Sequence, residues 1–155
     1  MIIDNFLSEL ECEELINYIK KRHEKYLSKD PKTHSMEPEI AIKFTNRLSE
    51  ILKVNIGKHD RITFIQYGKD SQGLKPHIDY IENPEITHTC IIYLNDNHGD
   101  IVFNNFCITP KQGRLVIFNV SEKHSSLPPR KEKFAIIFRI KSPILNNTGI
   151  IDHHI

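Results

Sequence analysis

Four side chains of this sequence have types and spacings that could carry metal-dependent chemistry. His77 and Asp79 are separated by one residue, and His124 and Lys133 follow further along the chain. Two imidazoles and one carboxylate form the facial triad that holds non-haem Fe(II) and leaves other coordination positions open. Open positions are what an oxygen-activating enzyme needs, and Lys133 would then be the anchor of a cosubstrate.

The residues around His77 predict that it shares a strand face with Asp79. Polar and apolar residues alternate from 75 to 81, as they do on a half-buried strand. A period of two directs both side chains towards one metal. The second His-x-Asp tripeptide, His98 to Asp100, lies among turn-forming residues between two apolar stretches and indicates a hairpin connection rather than a ligand pair.

Composition predicts one ordinary soluble domain. The chain has 155 residues, of which 39% are hydrophobic and 26% charged. A net charge of +1 gives no expectation of a nucleic-acid or membrane partner, and the basic run 20–22 falls within a predicted helix, where it is typical of a solvated face. With no apolar stretch of membrane-spanning length and no signal-like N-terminus, we expect a cytoplasmic protein. Cys12, Cys90 and Cys107 show no motif and predict buried thiols rather than disulfides.

The order of the predicted elements indicates an α+β fold. A capping box at Ser8 and Glu11 starts a helix over 9–27, a loop covers 29–37, and a second helix spans 38–53. Six strands follow, at 61–67, 76–81, 87–94, 100–106, 114–119 and 133–141. We therefore expect a single domain over 1–155, with helical support at about 1–57, a β-barrel core at about 58–142 and a tail at 143–155.

Alternation along two strands predicts which side chains face the site. On the strand over 133–141, Lys133, Ala135, Ile137 and Arg139 share one face, opposite an apolar face of Phe134, Ile136 and Phe138. On the strand over 87–94, alternation separates Thr89, Ile91 and Tyr93 from Cys90, Ile92 and Leu94. A lysine and an arginine opposite a core face either a polar cavity or, on an edge strand, water.

Several of these segments, in this order, resemble the prolyl 4-hydroxylase branch of the 2-oxoglutarate and Fe(II)-dependent dioxygenases. The matching segments are 2–8, 66–68, 77–79, 89–95, 99–103 and 110–118, followed by His124, Pro128 and Lys133. The resemblance implies a double-stranded β-helix, with the two N-terminal helices packed on one sheet. It implies that His77, Asp79 and His124 hold Fe(II), that Lys133 binds the distal carboxylate of 2-oxoglutarate, and that the residues lining the cosubstrate pocket are Tyr93, Tyr67 and Thr89.

The same resemblance implies a reaction. A substrate carbon, foremost that of a prolyl residue in a peptide or protein, would be hydroxylated with dioxygen, releasing succinate and carbon dioxide, with ascorbate as a candidate reductant. Arg139, six residues beyond Lys133 on one strand face, is predicted to bind the primary substrate near the barrel mouth. The loops 68–73 and 82–85 flank the His77 strand and are candidate lids or plain surface loops.

Other functions stay open on the sequence. One is hydroxylation of a free amino acid, another is nucleic-acid dealkylation on the same iron and 2-oxoglutarate core. The net charge of +1 does not indicate the basic surface that binding of nucleic-acid phosphates requires. A third is a non-catalytic barrel that serves as a binding module, against which the intact triad and Lys133 both argue.

Overall fold

The computed structural model describes residues 1–26, 29–35, 38–56, 62–79 and 83–141. Within these ranges the helices are α1 (Glu9–His23) and α2 (Pro38–Leu52). The strands are β1 (Ile2–Ile3), β2 (Lys32–Ser35), β3 (Thr63–Tyr67), β4 (Leu74–His77), β5 (His88–Tyr93), β6 (Ile101–Val102), β7 (Cys107–Ile108), β8 (Leu115–Asn119), β9 (His124–Ser126) and β10 (Lys133–Ile140). The predicted tail at 143–155 lies outside the described residues.

The strands form two antiparallel sheets. The larger sheet has the order β1-β8-β5-β10-β3-β2, and the smaller one has the order β4-β9-β6-β7. Because β10 lies between β5 and β3, the side chains of all three strands meet in the middle of the larger sheet. The fold is α+β, as the sequence predicts.

Two apolar clusters lie on opposite faces of the larger sheet. One joins its outer face to the helices, through Cys12 and Ile19 of α1 and Phe44 and Leu48 of α2. The other fills the space on the inner face, and its buried members are Ile2, Ile91, Tyr93, Ile101, Phe103, Ile108, Val116, Phe118 and Ala135. The helices therefore cover one face of the larger sheet, and the other face is left for the site.

The N-terminus of α1 is the predicted capping box. Ser8 accepts a hydrogen bond from the backbone of Glu11, whose carboxylate accepts one from the backbone of Ser8. The same carboxylate binds the Arg47 guanidinium of α2 at 2.9 and 2.8 Å, which holds its pKa at about 2. This ion pair joins the two helices. The helix ends at His23, before the predicted end at residue 27, which lies outside the described residues.

Some strand predictions were wrong. β2 occupies part of the predicted loop 29–37, because Lys32–Ser35 pairs with β3 and obtains its backbone hydrogen bonds from that neighbour. β4 ends at His77, so Asp79 follows the strand instead of lying within a strand over 76–81, and residues 80 and 81 lie outside the described part of the chain. The short strands β1, β7 and β9 were not predicted. Each is two or three residues long, too short to show a period.

The predicted environment of the cysteines is correct for two of the three. Cys12 and Cys90 are buried thiols, whereas Cys107 is exposed at the start of β7, and all three are free. The basic run 20–22 lies on the exposed side of α1, as predicted. Among the described residues, no helix has the length and apolar character needed to cross a membrane.

Candidate active site

His77 and His124 lie opposite each other across two paired strands. They are register partners in the antiparallel pair of β4 and β9, and their ring centroids are 4.4 Å apart. Asp79 follows β4 by two residues, and its Oδ1 lies 3.5 Å from Nε2 of each histidine. The three ligand atoms lie within 4.8 Å of one another, so the structure brings the predicted triad together.

Backbone carbonyls orient both imidazoles. Nδ1 of His77 donates to the Lys75 carbonyl at 2.7 Å, and Nδ1 of His124 donates to the Glu122 carbonyl at 2.9 Å. A ring that donates through Nδ1 presents the lone pair of Nε2, which is the usual arrangement for a metal-binding histidine. Burial also lowers the pKa of His124, which favours the neutral ring that a metal requires.

The second oxygen of Asp79 is held by one hydrogen bond and one ion pair from neighbouring strands. Thr89 Oγ1 donates to Oδ2 at 2.8 Å, and Arg139 Nη2 lies 3.3 Å from the same oxygen. Thr89 on β5 and Arg139 on β10 are register partners, so sheet pairing brings both side chains to the carboxylate. The side chain of Asp79 is 8% exposed. With Oδ2 occupied, Oδ1 is the oxygen that faces the histidines.

Arg139 lines the cavity beside the triad, and its side chain is 22% exposed. Its partner is the carboxylate of Asp79, whose side chain is 8% exposed, so the contact is not a surface salt bridge. No acceptor in the described part of the chain binds its buried Nε. A role for Arg139 in binding the primary substrate stays a prediction. The contact with Asp79 could not be predicted from the sequence, because it depends on how β4 and β10 are brought together in space.

Lys133 is a buried cation between two tyrosines. Lys133 is 4% exposed, and its Nζ lies 5.3 Å from the ring centroid of Tyr67 and 5.4 Å from that of Tyr93. Nζ donates to the Gly99 carbonyl at 2.8 Å, and in the described structure no carboxylate forms an ion pair with it. Burial lowers its pKa to about 8, an effect that the charge of Asp100 partly offsets. A buried ammonium without an anion is suited to an anionic ligand.

The His77, Asp79 and His124 triad and the Lys133 ammonium line the same cavity. It has about 460 Å³ of space, solvent at its mouth included. Its lining residues are Tyr67, Leu74, His77, Asp79, Thr89, Ile91, Tyr93, His124, Ser126, Lys133, Ala135, Ile137 and Arg139. The faces predicted for the strands of Thr89 and Lys133 are therefore both confirmed, since the opposite faces contribute to the cluster under the helices.

The side chains present fit Fe(II) and a dicarboxylate cosubstrate. Two neutral imidazoles and one carboxylate are a ligand set suited to Fe(II), and each is fixed by a further hydrogen bond. Burial raises the pKa of Tyr67 to about 12 and raises that of Tyr93 as well, so both phenols stay protonated. Protonated phenols beside Lys133 can donate hydrogen bonds to the same carboxylate.

Three further residues of the site were not predicted. Phe103 and Phe118 pack on the His124 ring, with centroids 6.1 and 4.7 Å away, and limit its rotation. Gly99, read from the sequence as part of a hairpin connection, supplies the carbonyl that binds Lys133. Phe118 lies in the predicted strand over 114–119, but the sequence gives no signal for the ring that it covers.

Comparison with known proteins places the site in a family. Residues 62–140, just over half of the chain, match the model of the 2OG-Fe(II) oxygenase superfamily. No curated protein matches the sequence. A structure of the viral collagen prolyl hydroxylase from Paramecium Bursaria Chlorella virus-1 is similar with a TM-score of 0.71 at 24% identity, covering 92% of this chain and 88% of that one.

Two cellular enzymes are similar to the same degree. The Pseudomonas putida prolyl-4-hydroxylase has a TM-score of 0.71 at 14% identity, with 91% of each chain covered. The Trichoplax adhaerens prolyl hydroxylase, solved with a peptide fragment of the hypoxia inducible factor oxygen degradation domain, has a TM-score of 0.71 at 17% identity, covering 91% and 82%. The fold is thus the double-stranded β-helix of these enzymes, and this chain belongs to the 2OG-Fe(II) oxygenase superfamily.

Proposed function

We propose that this protein hydroxylates a prolyl residue of a peptide or protein, with oxidative decarboxylation of 2-oxoglutarate to succinate and carbon dioxide. The observation that carries the proposal is the shared cavity, in which the His77, Asp79 and His124 cluster and the buried Lys133 line one space. A metal ligand set and a cationic anchor in one cavity are what a 2-oxo acid needs in order to bind both at once.

The proposed roles follow from the contacts of each side chain. His77, Asp79 and His124 hold Fe(II), and Lys133 binds the distal carboxylate of 2-oxoglutarate with help from Tyr67 and Tyr93. When bound, the iron supplies the activation of dioxygen.

The protein orients and shields the reactants. The inward faces of β5 and β10 contribute Ile91, Ala135 and Ile137, which are apolar and surround the cavity between the triad and Lys133. Apolar walls exclude water from the reacting groups and strengthen the attraction of Lys133 for a carboxylate. Thr89 and Arg139 hold Asp79 from the side away from the histidines.

The choice of a prolyl substrate is supported by the structural neighbours. The viral enzyme is a collagen prolyl hydroxylase, and the Trichoplax enzyme was solved with a peptide fragment. Their likeness to this chain extends over most of its length. Leu74 at the cavity wall is 38% exposed, and Ile78, between two of the triad residues, is 58% exposed. These side chains offer apolar surface to a peptide backbone that enters the cavity.

The experiment is a substrate screen with two readouts. The protein is incubated with Fe(II), 2-oxoglutarate, ascorbate and oxygen against proline-containing peptides, free amino acids and alkylated oligonucleotides. Succinate release is measured together with the mass of each candidate substrate. We expect a proline-containing peptide to gain one oxygen atom and to stimulate succinate release.

Other outcomes of the screen distinguish the alternatives. Oxygen incorporated into a free amino acid alone, or loss of an alkyl group from an oligonucleotide, would refute the prolyl peptide substrate while retaining the cofactor chemistry. Absence of succinate with every substrate would favour a non-catalytic binding module. The Lys133→Ala variant is the control, because it removes the proposed anchor without altering any residue of the triad.

A further inference from the structure

We propose that Asn97 is a positioning residue for Lys133, and that it sets the ammonium group in place before 2-oxoglutarate binds. The inference rests on the proposed role of Lys133 as the cosubstrate anchor. Asn97 is 5% exposed and lies in the connection between β5 and β6. A buried amide needs hydrogen-bond partners. Those of the Asn97 side chain either lie within two residues of Lys133 in the chain or contact its ammonium group.

The amide group of Asn97 holds the backbone that carries Lys133. Its Nδ2 donates to the carbonyl of Lys131 at 3.3 Å and to that of Glu132 at 3.2 Å. These two residues immediately precede the lysine at the start of β10. The hydrogen bonds fix the point at which the long side chain begins.

The oxygen of the same amide holds the group that receives the other end of the lysine. Asn97 Oδ1 accepts a hydrogen bond from the Gly99 backbone at 2.9 Å, and the Gly99 carbonyl accepts one from Lys133 Nζ at 2.8 Å. One side chain therefore contacts the groups at both ends of Lys133. Its flexible four-carbon stem is held at its base and at its charged end.

A side chain at Gly99 would crowd this arrangement. A Cβ at this position would lie 3.0 Å from the Leu127 carbonyl oxygen, 3.2 Å from Lys133 Nζ and 3.2 Å from Pro129 Cα. These distances are shorter than ordinary van der Waals contacts, and the Lys133 ammonium is the one neighbour at the end of a flexible side chain, so we expect it to be displaced by a few tenths of an ångström. The absence of a side chain at Gly99 thus allows its backbone to approach Lys133 closely.

The arrangement matters because an ammonium group has three donors. One is used by Gly99, and the others are available to a carboxylate in the cavity that Lys133 lines. A lysine held in the bound geometry loses little further freedom when the ligand arrives, which increases affinity without adding a contact.

Asn95 provides a matched control. Its Nδ2 donates to the Glu132 carbonyl at 2.8 Å, and its Oδ1 accepts from the Phe134 backbone at 3.1 Å. It therefore fastens the same segment of β10 from the same connection, but it does not bind Gly99. A variant at Asn95 tests whether fastening the strand is sufficient to explain any effect at Asn97.

The test is calorimetric titration of the Fe(II)-loaded protein with 2-oxoglutarate without oxygen, so that no turnover occurs. The variants are Asn97→Ala, Gly99→Ala, Asn95→Ala and Lys133→Ala, and each is first checked for its melting temperature. We expect Asn97→Ala to raise the Kd for 2-oxoglutarate about tenfold, the effect of losing one or two hydrogen bonds. Gly99→Ala should raise it similarly, by displacing the ammonium.

Steady-state rates and the affinity for Fe(II) distinguish a positioning role of Asn97 from a purely structural one. With Asn97→Ala, the KM for 2-oxoglutarate should rise while kcat at saturation and the Kd for Fe(II) stay within about twofold of wild type. Asn95→Ala should leave all three values near those of wild type. Equal weakening by Asn95→Ala and Asn97→Ala, or no weakening by Asn97→Ala, would overturn the inference.

Lys133→Ala separates this inference from the proposed function. If Lys133→Ala binds 2-oxoglutarate as well as wild type does, the anchor itself is wrong and both proposals fail. If Lys133→Ala binds poorly but Asn97→Ala binds normally, the anchor stands and the positioning role of Asn97 is refuted.

Discussion

Arg139 and Asp79 form an ion pair at the centre of the site, with Nη2 of the guanidinium 3.3 Å from Oδ2 of the carboxylate. Thr89 donates to the same oxygen from the neighbouring strand. The carboxylate is thus held through the oxygen that faces away from His77 and His124. We infer that Arg139 keeps Asp79 oriented for the metal, in addition to any contact that it makes with a substrate.

The first prediction concerns iron affinity. Arg139→Gln removes the charge that pairs with Asp79 and should weaken Fe(II) binding about fivefold, because a partly exposed ion pair contributes up to about 1 kcal/mol. Arg139→Lys keeps the charge and should lose less. The measurement is anaerobic Fe(II) titration of the three proteins. Identical affinities would show that the ion pair does not orient the ligand.

The same variants test the predicted contact of Arg139 with the primary substrate. Arg139→Gln should reduce peptide-stimulated turnover more than the slow uncoupled conversion of 2-oxoglutarate to succinate, with both measured at saturating Fe(II). Saturating iron removes the effect of a weakened metal site. If both activities fall equally under these conditions, Arg139 acts through Asp79 alone.

A second prediction concerns the anchor. Lys133→Ala should raise the concentration of 2-oxoglutarate required for activity far more than that of Fe(II), because losing one partner of a desolvated ion pair costs about 3 to 5 kcal/mol. Titrating each component in turn while the other is saturating gives the comparison. An unchanged requirement for 2-oxoglutarate would exclude Lys133 from the cosubstrate site.

The alternation on β10 shows how much of the site the sequence could predict. A strand has a fixed period of two, so the faces of Lys133 and Phe134 follow from the chain alone. The triad was also predictable, from the alternation around His77 and from the resemblance to the dioxygenase family. Neither prediction required the position of any other strand.

What the sequence could not predict depends on pairing between distant segments. The contact of Arg139 with Asp79 requires the two sheets to face each other, and the contact of Gly99 with Lys133 requires a connection to fold over the end of β10. β2 was not predicted because all four residues of Lys32–Ser35 are polar, so the sequence shows no alternation of polar and apolar residues there. The segment is a strand because it pairs with the edge of β3. Such hydrogen bonds belong to the fold and not to local propensity.

A third prediction uses the lowered pKa of Lys133, which is about 8 in the fold against 10.5 as its ordinary value. Between these values the unfolded chain binds more protons than the folded one, so this group makes the protein more stable as pH rises from 8 to 10.5. The gain should disappear in Lys133→Met. We expect the stability difference between wild type and Lys133→Met, from urea unfolding without cosubstrate, to shift in favour of wild type over this range. A constant difference would contradict the burial of a charged lysine.

The fourth prediction concerns acid stability at the His23 and His34 pair. His23 Nδ1 donates to Gln66 Oε1 at 2.9 Å, and His34 Nδ1 donates to His23 Nε2 at 2.6 Å, so His23 is neutral in this arrangement. Burial lowers the pKa of His34 from 6.5 to about 4. The unfolded state therefore binds more protons below pH 6.5, and stability should fall as pH decreases from 6.5 to 4. In His34→Phe the decrease should be smaller; an equal decrease would place the acid sensitivity elsewhere.

Succinate formation by wild type and by His124→Ala, with Fe(II), 2-oxoglutarate, ascorbate and oxygen, tests the central claim most directly. His124 is one of the three proposed iron ligands, and a barrel core does not depend on metal for folding, so the variant should keep its circular dichroism spectrum and melting profile. We expect iron-dependent succinate from wild type and none above background from His124→Ala. Iron-dependent succinate at the wild-type rate from His124→Ala would contradict the account.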